Sequence, residues 1–141
     1  MYLAAIFALL VGYAAAQNPD CDLSTNVTVG DTYFVYNPNY PQRYDPGVRC
    51  RWQAEGPTGY NLRLDCNDVD IPESPSCSVD RLLISRSGDP KLDGAATYCG
   101  RDMVTAESTG QMISIGLVAS RSSPGGRFLC RLRAQRSADD E

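Results

Sequence analysis

Alternation with a period of two is the dominant pattern along this chain. Phe128, Cys130, Leu132 and Ala134 fall on one face of a segment whose other face carries Arg127, Arg131 and Arg133, interrupted by Leu129. Ile113, Ile115, Leu117 and Ala119 form a second alternating face, and Leu62, Leu64 and Cys66 a third, opposed by Arg63 and Asp65. Leu82 and Ile84 share one face of a shorter run, and Cys50 to Ala54 reads as a strand closed by Gly56-Pro57-Thr58-Gly59. Such alternation predicts half-buried β-strands. Val27, Val29 and then Thr32 to Tyr36 are β-branched and aromatic, with Gly30-Asp31 as a turn between them. Asn37-Pro38-Asn39-Tyr40-Pro41 cannot sit in a central strand, because its prolines remove ladder donors. Asn67 to Ser78, with Pro72 and Pro75, reads as a polar loop; Ser87 to Pro90 and Ser122 to Gly126 read as turns. No stretch shows a helical period and no repeat recurs. Short strands with regular turn signals predict an all-β sandwich or barrel.

The N-terminal stretch breaks this pattern. Leu3 to Tyr13 is an uncharged apolar run followed by Ala14-Ala15-Ala16, the form of a secretory signal peptide. Residues 1–16 are therefore expected to be a signal peptide, leaving Gln17 as the new terminus of one domain over 17–134. The run is too short to cross a bilayer, which takes about 20 apolar residues. No later run is long enough to anchor the chain, so no membrane insertion is expected. Residues 135–141 form a polar acidic tail with nothing to bury, expected to be disordered.

Charge and cysteine content narrow the class further. The net charge is −4, so nucleic acid is not an expected partner. The even set of Cys21, Cys50, Cys66, Cys77, Cys99 and Cys130 in a chain expected to be secreted implies a disulfide framework. Cys66 lies on the face of Leu62 and Leu64, and Cys130 on the face of Phe128 and Leu132. A buried Cys66–Cys130 bridge fits both faces, and its long loop is worth about 4 kcal/mol in the chain-entropy account. Asn26-Val27-Thr28 is a glycosylation sequon, and Asn26 is expected to carry a glycan.

Enzymatic readings fail on inventory. The chain has no histidine, which removes Ser-His-Asp and Cys-His arrangements and histidine metal ligands. Disulfides claim the cysteines, so no thiol nucleophile is expected. Asp68 and Asp70 could serve acid–base chemistry only in a cleft that raises one pKa. The tyrosines Tyr33, Tyr36, Tyr40, Tyr44, Tyr60 and Tyr98 could supply binding surface. The plainer reading has Tyr40 and Tyr44 pinning the proline loop and Trp52 in the core.

The motif order resembles the CUB domain. Asn37-Pro38-Asn39-Tyr40-Pro41, Tyr44, Cys50-Arg51-Trp52, Cys77-Ser78-Val79-Asp80-Arg81-Leu82, Tyr98-Cys99-Gly100 and Gly125-Gly126-Arg127-Phe128 occur in the family's sequence. The likeness covers residues 21 to 134 and is greatest to the CUB domain of arthropod CUB-serine proteases and to single-domain CUB proteins of insect venoms. It implies a jelly-roll-like β-sandwich of two antiparallel sheets with three disulfides. It also implies the pairings Cys21–Cys50 and Cys77–Cys99, which leave Cys66–Cys130.

Many CUB domains hold calcium with a Glu and two Asp residues on neighbouring loops. Asp80 matches one of these positions, but Pro72 stands where the Glu would be and Arg121 where the other Asp would be. Calcium needs about six to eight oxygen ligands. A proline and an arginine supply no carboxylate, so no metal and no other cofactor is expected. Asp68, Asp70 and Glu73 crowd the same loop and offer a rival calcium site, but their spacing fits no EF-hand and a solvated acidic loop is the preferred reading. For Asp80 an alternative role is to satisfy backbone donors in a turn.

The expected function is a secreted, extracellular, non-catalytic binding module, possible in venom or another glandular secretion. Its expected partner is an extracellular protein or glycan, and it is expected to be a monomer. Two alternatives stand beside it. One is a regulator that competes for the docking partner of a CUB-containing serine protease. The other is a disulfide-stabilised inhibitor or toxin presenting a loop such as Asn67 to Ser76.

Overall fold

A computed structural model describes residues 21–136. The expected signal peptide over 1–16, with Gln17, and residues 137–141 of the expected tail lie outside the described residues. The strands are β1 (Asp22–Asn26), β2 (Tyr33–Tyr36), β3 (Arg49–Glu55), β4 (Tyr60–Ile71), β5 (Arg81–Ser85), β6 (Ala96–Tyr98), β7 (Gly100–Glu107), β8 (Met112–Val118) and β9 (Arg127–Arg136). A 3-10 turn, Pro75–Cys77, follows β4. No helix among the described residues is long and apolar enough to cross a membrane.

The strands form two sheets, a five-stranded one in the order β1-β3-β8-β5-β6 and a four-stranded one in the order β2-β9-β4-β7. All pairs are antiparallel except β1 with β3, which run parallel with Asp22 opposite Arg51. A parallel pair needs a crossover. Here the crossover contains β2, which lies in the other sheet, so β1 and β2 do not form the hairpin that a simple turn at Gly30-Asp31 suggests.

The alternating faces seen in the sequence meet between the sheets. Leu62 and Leu64 of β4 and Phe128 and Leu132 of β9 bury completely against Ile113, Ile115 and Leu117 of β8 and Leu82 and Ile84 of β5. Trp52 of β3 meets Phe128 of the opposite sheet edge-on, with centroids 5.5 Å apart. That geometry suits the positive rim and negative face of aromatic rings.

Two boundaries differ from the sequence expectation. The ladder of β4 skips between Cys66 and Asp68 against β9, and between Cys66 and Val69 against β7. Such a bulge adds a residue to one strand and shifts its parity. Leu62, Leu64 and Cys66 point inward before it, and Val69 and Ile71 after it. Asn67 to Ile71 therefore continue the strand, and the loop begins only at Pro72. At the other end, β9 runs through Gln135 and Arg136, which pair with Asn61 and Tyr60. The Arg136 guanidinium lies 5.8 Å from the Tyr60 ring centroid, a cation–π contact that holds this end.

Three disulfides brace the layers. Cys21–Cys50 ties the start of β1 to β3, and Cys66–Cys130 joins register partners on β4 and β9. Cys77–Cys99 joins the turn after β4 to the link between β6 and β7. No cysteine is free.

Candidate functional site

The loops before β3, before β5 and before β9 gather at one end of the sandwich, and Asp80 sits among them with 0% exposure. Its Oδ2 accepts hydrogen bonds from the Tyr44 hydroxyl at 2.7 Å and the Ser123 hydroxyl at 2.5 Å. Its Oδ1 accepts from the Ser120 backbone N–H at 2.8 Å. Ser123 Oγ in turn accepts from the Gly125 N–H at 2.9 Å. Burial first, and then the hydrogen bond to Asp80, push the Tyr44 phenol well above its usual 10.0. The same tyrosine is fixed by its backbone, whose N–H donates to the Gly126 carbonyl at 2.8 Å. Asn37, also fully buried, closes the proline loop beside it. Its Nδ2 donates to the carbonyls of Pro38 and Gln42, and its Oδ1 accepts from the Phe128 N–H at 2.9 Å. The glycines here are set by space: a Cβ on Gly126 would lie 2.6 Å from the Asp70 carbonyl oxygen and 3.0 Å from Tyr44 Oη and Pro72 Cδ.

This arrangement does not fit a calcium ion. Asp80 is the one carboxylate in the network, and both its oxygens already hold protein donors. Pro72 lies close to Gly126, and Arg121 is exposed, with its side chain near Gly47. Neither supplies an oxygen ligand. The role of Asp80 extends its alternative reading as a turn residue. It satisfies one backbone donor and, in addition, two side-chain hydroxyls from segments 36 and 43 residues away.

Asp68, Asp70 and Glu73 do not converge on an ion either. Asp68 and Asp70 lie on β4 and are occupied by arginines. Asp70 faces Arg43 at 3.1 Å and Arg101 at 3.6 Å, and Asp68 faces Arg127 at 3.6 Å while accepting from the Tyr40 hydroxyl at 2.8 Å. Glu73 sits apart, against Gly100. Among the described residues no group of acidic, cysteine or histidine side chains is placed to hold a metal.

A different feature stands out on the outer face of the four-stranded sheet. Phe34 and Tyr36 of β2 are 56% and 50% exposed, next to the edge of the sheet. Phe34 is in register with the exposed Arg131, Tyr36 with Leu129, and the Tyr36 and Tyr40 rings lie 6.1 Å apart. Tyr33 and Val35 point the other way, toward the core. The sequence did not single this face out, because Tyr-Phe-Val-Tyr is apolar on both sides and reads equally as a strand buried on both faces.

Comparison with known proteins follows this geometry. The family model for the CUB domain matches residues 21–130. The chain belongs to the CUB family. CUB domains are protein-interaction modules of extracellular proteins, and most of this chain is one such domain. The chain is 28% identical over 134 residues to venom serine protease 34 of Apis mellifera, covering 94% of this chain and 29% of that protein. It is 32% identical over 91 residues to cubilin of Sus scrofa, covering 64% of this chain and 2% of that protein. The chain thus spans a minor part of these relatives. The solved CUB1-EGF-CUB2 domains of rat MASP-1 superpose with a TM-score of 0.68 at 17% identity, covering 84% of this chain and 45% of that one. This likeness is one of fold, and it places the all-β, two-sheet architecture within the CUB group.

Proposed function

We propose that this CUB chain is a secreted, non-catalytic module that binds an extracellular protein on the outer face of its four-stranded sheet, without calcium. The observation that carries the proposal is the half-exposed pair Phe34 and Tyr36 beside Arg131 on a rigid sheet. Aromatic residues and arginine are enriched where proteins meet, and a scaffold of hydrogen-bonded strands holds them with little loss of entropy. Calcium independence is supported by the Asp80 network, in which hydroxyl and amide donors hold the loops that an ion would otherwise order. Secretion is supported by the disulfide framework and by the family. A glycan on Asn26 is supported by the exposure of that residue at the end of β1. A glandular or venom setting is supported by the likeness to the venom serine protease.

The same likeness supports a second reading, in which the chain regulates a serine protease by occupying the partner on which that protease's CUB domain docks. Both readings meet one experiment. Immobilised protein should retain a defined extracellular protein, identified by mass spectrometry, in buffer with EDTA as well as with calcium. The double variant Phe34→Ala, Tyr36→Ala should lose it, and Val79→Ala, another exposed apolar site, should keep it. Equal retention by both variants, or retention only with calcium, would sink the proposal. A captured partner that also binds a CUB-containing protease selects the second reading.

A further inference from the structure

The two sheets do not fill the space between them at one edge. There β1 of one sheet faces β2 of the other across a cavity of about 210 Å³ that opens to the surface. Trp52, Ala54, Ile115 and Leu132 are among its lining residues, with Leu23 of β1 and Val35 of β2. Leu23 is 51% exposed, whereas Trp52 is only 8% exposed. No charged side chain lines the space.

We propose that this cleft is a binding site for a small, uncharged, largely apolar molecule about the size of one substituted ring. Protein interiors are close-packed, and an opening of this size beside the core leaves part of the Trp52 surface without partner atoms. Water gains little there, because an apolar wall returns few of its hydrogen bonds. An apolar cavity of about 150 Å³ accepts benzene, so this cleft has room for a ring bearing a small substituent. Entry of a charged molecule would strip its hydration with nothing in return. A guest also removes the exposed Leu23 side chain from water, adding to the gain.

The site carries its own reporter, since Trp52 is the single tryptophan of the chain. Toluene titrated into the folded protein, with excitation at the red edge of tryptophan absorption, should change Trp52 emission saturably. Intermolecular nuclear Overhauser effects should run from toluene to the methyl groups of Ile115 and Leu132. Cyclohexanol should compete, and benzoate, the same ring with a charge, should produce neither effect. Ala54→Leu should fill the space and abolish the response. If that variant does not fold, the Overhauser measurement on the unaltered protein decides alone. A response that never saturates, that benzoate reproduces, or that survives in folded Ala54→Leu overturns the assignment. So do Overhauser contacts confined to exposed side chains, or no effect from toluene and cyclohexanol alike.

Discussion

The chain uses carboxylates in opposite ways in two neighbouring regions. Asp80 is fully buried and is held by two hydroxyls and one amide, with no cation in contact. Asp68 and Asp70 lie on the outer face of β4, with side chains 37% and 18% exposed, and are held by three arginines at 3.1 to 3.6 Å. Burial decides which partner matters. A charge out of water depends on every hydrogen bond it receives, because an unpaired one costs several kcal/mol. A charge at the surface keeps part of its hydration, and its ion pairs are worth about 0–1 kcal/mol. The larger number of charged contacts therefore marks the less important site for stability.

Three measurements can break or sharpen this contrast. The largest effect belongs to Asp80→Ala, which strands the Tyr44 and Ser123 hydroxyls and the Ser120 N–H in a buried space. Urea unfolding should show a loss of about 3 kcal/mol or more. Next comes Tyr44. Its phenol titrates above its usual 10.0 in the folded protein, because burial and the bond to Asp80 favour the neutral form. Stability from this group is complete below the unfolded value and is lost as pH rises through the folded one. The unfolding midpoint should hold steady to about pH 9 and fall above about pH 10. Tyr44→Phe should cost about 1 kcal/mol at neutral pH and flatten that alkaline fall. Tyr40, raised by its hydrogen bond to Asp68, adds the same sign from a half-buried position and so contributes less than fully buried Tyr44. The smallest effect is expected for Arg101→Ala, which removes a highly exposed partner of Asp70 and should change stability by less than about 0.5 kcal/mol. If Arg101→Ala matched Asp80→Ala, burial would not be the deciding variable.

The strands that bury one clean face were legible in the sequence. Leu62 and Leu64, and Phe128 to Leu132, alternate because one side packs and the other meets water, whereas in β8 Ile113, Ile115 and Leu117 alternate with Ser114 and Gly116, which are buried as well. The edge strands β1 and β7 were not. Every residue of β1 is exposed, and β7 buries only Val104, so neither has a face for alternation to reveal. The extension of β4 past Cys66 was hidden for another reason: the bulge reverses parity, and a reversed pattern reads as a loop. At the Asp80 junction the sequence showed an isolated acid with its expected companions replaced. It could not show the replacement donors, because Tyr44 and Ser123 are brought in by long-range folding. The cleft beside Trp52 was equally hidden, since empty space between two sheets has no residue to announce it.

The disulfides are distributed so that none of them spans the mid-plane directly. Cys21–Cys50 lies within one sheet, Cys66–Cys130 within the other, and Cys77–Cys99 clasps the connections at the β6 and β7 edges. The sandwich is consequently bound like a book. Its spine runs along the stapled β6–β7 side, and along the β1–β2 side its pages meet by side-chain packing and the chain link over residues 27–32, with no disulfide. Thermal breathing is easiest at that unbound margin, where the leaves can part without breaking a covalent bond.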